Sequence, residues 1–231
     1  MLAIGDLNSY YGRSHVLQGV TLQVEKGEVT SIIGRNGTGK TTFLRSIMGL
    51  TDRTTGSILF EEREISTLEP HERARSGIAY VPQGREIIPD FTVRENILMG
   101  AFARMDGRRE VPDLVAELFP YLVQNLERPG GLLSGGQQQQ LAIARALAAH
   151  PKLILLDEPN EGIQPSIVEV IERVIFRLNR ELGLTVLLVE QNVRFVREIS
   201  HRFAVMEKGK LVVQGESGEL SDEIVHRHLA V

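Results

Sequence analysis

Gly34-Arg35-Asn36-Gly37-Thr38-Gly39-Lys40-Thr41-Thr42 is the stretch on which the fold of this chain turns. Before it stands Val29-Thr30-Ser31-Ile32-Ile33, a short apolar run that reads as a buried strand, and after it the helical pattern Phe43 to Leu50. Strand, glycine-rich loop and helix in that order are the context in which backbone wraps an anion. Gly34, Gly37 and Gly39 let successive N–H groups, with Arg35, Asn36 and Thr38 between them, point at one centre. The helix adds the positive end of its dipole. Lys40 is placed to reach β- and γ-phosphates, the Thr41 hydroxyl to ligate Mg²⁺, and Thr42 follows on the same turn. The loop reads as a nucleoside triphosphate site.

Outward from the loop, Leu2 to Leu7 and Val16 to Val24 read as strands with strand-like alternation, carried in the second by Val16, Gln18, Val20, Leu22 and Val24 on alternate sides. Short strands follow at Ser57 to Phe60 and Ile78 to Pro82. From residue 84 to about 150 the period changes to 3.6, predicting helices at Val93 to Arg104, Pro112 to Gln124 and Gly135 to His150. Strand and helix then alternate: Lys152 to Leu156, Ile167 to Leu182, Leu184 to Val189, Asn192 to Ser200 and Phe203 to Met206. Glu207-Lys208-Gly209-Lys210 reads as a hairpin turn, with one short helix after it. The rhythm predicts an α/β fold with a mainly parallel core sheet, an N-terminal antiparallel region and an inserted helical subdomain. A single domain, 1–231, is expected, with its core in about 1–83 and 151–231 and the helical subdomain in about 84–150.

Composition excludes more than it assigns. A net charge of −4 leaves no basic footprint for nucleic acid, and the absence of cysteine removes disulfides and Cys-based metal sites. Met1 to Asp6 has neither the basic nor the apolar region of a signal peptide. No apolar run approaches the ~18 residues that span a bilayer, so work at a membrane would need a partner to hold the chain there.

Two further motifs carry chemistry. Leu153-Ile154-Leu155-Leu156 runs into Asp157-Glu158-Pro159, an acidic pair at a strand end, where a Mg²⁺-holding carboxylate belongs beside a phosphate loop. Asp157 is expected to hold the metal, and Glu158, turned to the other face, to polarise the attacking water. Leu133-Ser134-Gly135-Gly136-Gln137 is a glycine-rich turn opening a helix. Ser134 offers a hydroxyl and the two glycines bare N–H groups. The same turn reads equally as a helix N-cap, and a cap is also an anion site.

Gly34 to Thr42, Gln83, Leu133 to Gln137 and Leu153 to Pro159, in this order, resemble the ATP-binding subunit of ATP-binding-cassette transporters. The resemblance covers essentially the whole chain. It implies an ATPase using ATP and Mg²⁺, in which two subunits associate head to tail. The turn Ser134, Gly135, Gly136, Gln137 then serves the partner's ATP. It implies that Tyr11 stacks on adenine, with Val16 beside it and Tyr10 as the competing choice. It further implies that Gln83 touches Mg²⁺ and links the core to the helical subdomain. Implied partners are membrane permease subunits, a second ATP-binding subunit, identical or related, and indirectly a solute-binding protein. The implied location is peripheral, at the cytoplasmic face of the membrane. ATP-gated clamps on DNA or the ribosome share this cassette but call for a coiled coil, a second cassette or a basic surface. A nucleotide-sensing cassette is the remaining alternative.

The sequence departs from the family pattern twice. After Val189-Glu190 the family has a histidine against the γ-phosphate, where this chain has Gln191, which donates a hydrogen bond but cannot become cationic. Glu158 is therefore expected to dominate water activation while Gln191 orients. Where the family often reads Ser-Ala-Leu-Asp, this chain reads Glu161-Gly162-Ile163-Gln164, leaving Gln164 for a neutral cross-dimer contact. Pro165, or a capping box of Ser166 with Glu169, would start the next helix. Val189-Glu190-Gln191-Asn192 resembles uptake systems for hydrophobic amino acids and amides. Within these, Val81 to Glu86 and Glu161 to Ser166 look most like the urea-uptake subunit, with branched-chain amino acid systems as runner-up. Of the apolar residues Ile87, Ile88, Phe91, Ile97, Met99 and Phe102, some are expected in the core of the helical subdomain and others, Ile87 and Ile88 first, in a groove for a permease helix, with an all-core reading equally open.

Overall fold

Two apolar runs, Leu153–Asp157 and Thr185–Glu190, are buried at every residue, so neither can show the alternation of a strand with one wet face. They are the middle of a sheet covered on both sides. The computed structural model describes residues 1–229. Its elements run β1 (Leu2–Tyr11), β2 (Ser14–Val24), β3 (Val29–Ile33), α1 (Lys40–Ile47), β4 (Arg53–Phe60), β5 (Arg63–Glu64), α2 (Pro70–Ser76) and β6 (Ile78–Val81). Four helices follow, α3 (Val93–Ala101), α4 (Asp113–Leu118), α5 (Pro120–Gln124) and α6 (Gly135–Leu147). The chain continues through β7 (Leu153–Asp157), α7 (Pro165–Arg180), β8 (Thr185–Glu190), α8 (Val193–Ile199), β9 (Arg202–Glu207), β10 (Lys210–Glu216) and α9 (Asp222–His228).

The larger sheet is ordered β10-β9-β3-β8-β7-β6, parallel throughout except for β10 against β9. The smaller is antiparallel, β2-β1-β4-β5. Alternation along the central strands divides the core. Ile154, Leu156, Val186 and Leu188 face α6 and α7, and Leu153, Leu155, Leu187 and Val189 face α1 and the small sheet. At about 1.5–3 kcal/mol per fully buried aliphatic side chain, the sheet is held from both faces at once. Helix α7 buries Ile171, Val174, Ile175 and Leu178, a stripe at helical spacing. The expected α/β architecture is present.

Several local expectations are corrected. In β2 the buried residues are Leu17, Val20, Leu22 and Val24, while Val16 is half-buried and Gln18 exposed. Between Leu7↔Val20 and Ser9↔Leu17 the register slips by one, at Gly19 in left-handed conformation, so the bulge exchanges the faces. The helix expected over Pro112 to Gln124 is two helices. Phe119 stands before Pro120, where the ring disfavours helical backbone, and has φ −134° and ψ 63°. Helix α2 was not foreseen, although Glu69 with Glu72 forms a capping box and Pro70 takes the first turn. Helix α7 begins at Pro165 after Gln164, not on a Ser166 box.

Candidate active site

Parallel strands place their carboxyl ends along one edge, and the candidate residues gather there: the glycine-rich loop after β3, Gln83 after β6, Asp157 ending β7, Gln191 after β8. Gly39 caps α1 with φ 108°, a conformation an L side chain rarely adopts, so the helix starts at Lys40 with its N–H groups open to the loop. A cleft of about 320 Å³ lies over the loop, with Val16, Asn36, Thr41, Thr42, Gln83 and Glu158 in its walls.

Lys40 is buried and turned back into the loop. Its ammonium donates to the carbonyls of Gly34 at 2.8 Å and Arg35 at 3.1 Å and lies 3.2 Å from Glu158 Oε1. Strand alternation alone sends Glu158 to the face opposite Asp157, as the sequence suggested. Instead Glu158 has φ 45°, and this left-handed turn brings its carboxylate round to Lys40. Its other oxygen, Oε2, accepts from Gln191 Nε2 at 2.9 Å, and the same amide nitrogen donates to Asn36 Oδ1 at 2.7 Å. Gln191 thus bridges the phosphate loop and the acidic pair.

Asp157 is fully buried. It accepts from Thr41 Oγ1 at 3.2 Å on Oδ1 and from the Tyr80 hydroxyl at 3.1 Å on Oδ2. Burial raises its pKa, the nearby Glu158 adds to the rise, and the two donors and Lys40 oppose it. Among the described residues no cation forms an ion pair with it. A buried carboxylate with a hydroxyl beside it and no cation of its own is a hard-oxygen donor set that fits a dication such as Mg²⁺.

Gln83 is exposed at the cleft, and its Nε2 donates to Glu161 Oε2 at 2.7 Å. The Gln83 loop thereby touches the turn after the acidic pair, and Arg85 adds a longer contact to the Gly162 carbonyl at 3.4 Å. Tyr10 is committed elsewhere, stacked on His15 with ring centroids 4.4 Å apart and covered by Arg53. Tyr11 ends β1 half-buried with no such partner. Ser134 caps α6: its hydroxyl accepts from the Gln137 N–H at 3.4 Å, and Gln137 Oε1 accepts from the Ser134 N–H at 2.9 Å. Gly136 is buried against Ile167 so closely that a Cβ there would lie 2.6 Å from Ile167 Cγ2. None of Ser134 to Gln137 lines the cleft over the chain's own loop.

Three side chains at this edge escaped the sequence reading. Tyr80 is visible only once β6 is known to lie beside β7. Arg145 of α6 forks onto the Glu86 carbonyl at 2.7 Å and the Arg85 carbonyl at 3.0 Å, the two residues held at φ 44° and 73°. Glu190 is buried and accepts the N–H groups of Gln191 and Asn192 on Oε2. Burial pushes its pKa up, and those two N–H groups oppose the shift. The structure divides the apolar candidates of this region. Ile87 packs on the core and Ile88 is half-buried, while Phe91, Met99 and Phe102 are exposed at 38, 42 and 59 %.

A phosphate loop between β3 and α1, with an acidic pair closing β7, defines a nucleotide hydrolase of the phosphate-loop class. Residues 17–161, more than half of the 231, match the model of the ABC transporter family, and the chain belongs to that family as an ATP-binding-cassette ATPase. It is 41% identical over 221 residues to the high-affinity branched-chain amino acid transport ATP-binding protein BraG of Pseudomonas aeruginosa, covering 95% of this chain and 94% of that one. It is 38% identical over 223 residues to a probable branched-chain amino acid transport ATP-binding protein LivF of Archaeoglobus fulgidus, with the same coverage. The lipopolysaccharide export ATP-binding protein LptB of Escherichia coli K12 shares 39% over 223 residues, covering 95% and 92%. Among solved structures, the dimeric, post-hydrolysis cassette MJ0796 bound to ADP and Pi superposes with TM-score 0.83 at 27% identity, covering 94% of this chain and 99% of that one. Among the described residues no helix is long and apolar enough to cross a membrane.

Proposed function

We propose that this chain is the ATP-hydrolysing subunit of an uptake transporter for small solutes of the hydrophobic amino acid and amide type, bound to permease subunits at the cytoplasmic face of the membrane. The observation that carries its catalytic half is the Lys40–Glu158–Gln191–Asn36 chain of contacts across the phosphate loop. ATP entering the loop draws Lys40 from Glu158 to the phosphates. Glu158, released, accepts the proton of the attacking water, while Gln191 keeps its carboxylate in line through the amide. Thr41, Asp157 and, on leaving Glu161, Gln83 would hold Mg²⁺. Bound there, the ion neutralises charge on the terminal phosphates. Tyr11, with Tyr10 already engaged, is the aromatic for adenine, and Val16 packs beside it.

Completion of the site is assigned to a second subunit. Ser134 to Gln137 cap α6 away from the chain's own cleft, which supports their service to a partner's ATP, and cassette MJ0796 is dimeric. Gln164 sits exposed at the start of α7, available for a neutral contact across that dimer. Phe91, Met99 and Phe102 are the face offered to a permease helix, in place of Ile87 and Ile88. For the solute, BraG and LivF support branched-chain amino acids, whereas the segments Val81 to Glu86 and Glu161 to Ser166 support urea or a short amide.

The test is uptake of labelled leucine and labelled urea by cells expressing the chain or its Glu158→Gln variant. Loss of leucine uptake alone selects the first solute and loss of urea uptake alone the second. Unchanged uptake of both, with efflux impaired instead, overturns the proposal.

A further inference from the structure

Tyr80 stands three residues before Gln83 in β6, opposite Leu155 in the parallel ladder with β7. Leu155 and Asp157 share the strand face turned to α1, and the ring of Tyr80 packs on the core cluster of that face. Its hydroxyl donates to Asp157 Oδ2 at 3.1 Å, while the Thr41 hydroxyl donates to Oδ1 at 3.2 Å. Among the described residues each carboxylate oxygen has one side-chain donor. A phenylalanine would fill the same packing space; only the hydroxyl is left to account for.

We infer that Tyr80 is a positioning residue for the metal site, whose hydroxyl occupies Asp157 Oδ2 and leaves Oδ1, beside Thr41, as the oxygen presented to Mg²⁺. This rests on the reading of Asp157 and Thr41 as the metal-holding pair. Its physical basis is the general behaviour of metal sites: groups behind the ligands set their orientation, and removing one typically costs 10–100-fold in metal affinity. Without the phenol, the buried carboxylate keeps a single neutral donor and is free to turn.

The experiment separates metal from nucleotide. Binding of a fluorescent non-hydrolysable ATP analogue to the full chain is titrated in EDTA and in saturating Mg²⁺, for wild type, Tyr80→Phe, Asp157→Asn and the double variant. Mn²⁺ affinity of each analogue complex is followed by electron paramagnetic resonance. In EDTA, Tyr80→Phe binds within about twofold of wild type. In Mg²⁺ its gain in affinity, and its Mn²⁺ affinity, fall by about tenfold. In the Asp157→Asn background, Tyr80→Phe has no further effect, because it acts through that carboxylate. A full Mg²⁺ gain in Tyr80→Phe overturns the inference, as does an equal loss in EDTA, which marks a structural role only. If Asp157→Asn itself keeps the full gain, the metal reading of Asp157 fails and takes the role of Tyr80 with it.

Discussion

Glu158 is held at both oxygens, by Lys40 on one and Gln191 on the other, and its two neighbours have unequal work. Among the described residues Glu158 is the carboxylate that lines the cleft over the loop, whereas Gln191 touches it through an amide that cannot titrate. Glu158→Gln should therefore lower kcat for ATP by roughly 10²-fold or more, and Gln191→Ala by clearly less. Equal losses in steady-state ATPase assays sink this division of labour. Glu190 makes a second prediction. Burial raises its pKa in the folded chain, so between the ordinary carboxylate value and the raised one the folded state binds more protons than the unfolded state. Stability is then lost as pH rises through that window. Glu190→Gln removes the charge while keeping an acceptor for the Gln191 and Asn192 N–H groups. Its melting temperature should exceed wild type at pH 8, with the gap closing toward pH 4.5; a gap independent of pH refutes the assignment.

Among the elements, α6 does three jobs, and they constrain one another. Its N-terminus carries the Ser134 cap, its body packs against α3, and Arg145 in its last turn grips the loop after Gln83. The α3–α6 crossing is close enough that a Cβ on Gly100 would lie 1.8 Å from the Arg145 carbonyl oxygen. Backbone cannot yield there as a side-chain tip can. Gly100→Ala should cost about 1–3 kcal/mol by urea denaturation, and a cost below about 0.5 kcal/mol would show that the crossing has slack. The Arg145 fork holds Arg85 and Glu86 in left-handed backbone, a conformation that costs each non-glycine residue about 1–2 kcal/mol. Arg145→Lys, with one point charge for a planar fork, should release the loop and speed limited proteolysis after Arg85; an unchanged cleavage rate would place the restraint elsewhere.

For the whole molecule, the decisive arrangement is that the turn Ser134 to Gln137 does not line the chain's own phosphate cleft. If two chains complete each other head to tail, Lys40→Ala and Ser134→Arg proteins are each inactive alone, since every site in either dimer lacks one half. Mixed, they form a heterodimer with one doubly defective site and one intact site. Half of randomly paired dimers are mixed and each keeps one of two sites, so ATPase activity should return to roughly a quarter of wild type. No recovery on mixing would argue that each subunit completes its own site.

Much of this protein is decided by the sequence itself. The loop Gly34 to Thr42 between a β-branched run and a helix, and the switch from strand to helix period after Gln83, are local signals, because glycine conformation and hydrophobic spacing act over a few residues. So are the Ser134 cap and the break at Phe119-Pro120, since a cap and a proline act on the residues beside them. Tertiary structure decided what depends on strand order and register. The placing of β6 beside β7 gives Asp157 its Tyr80, and the bulge at Gly19 exchanges the faces of β2. The left-handed turn at Glu158 brings its carboxylate back to Lys40, and Gln191 meets Asn36 across 155 residues of chain. Such contacts join segments far apart in sequence, and no periodicity within either segment encodes which one its neighbour will be.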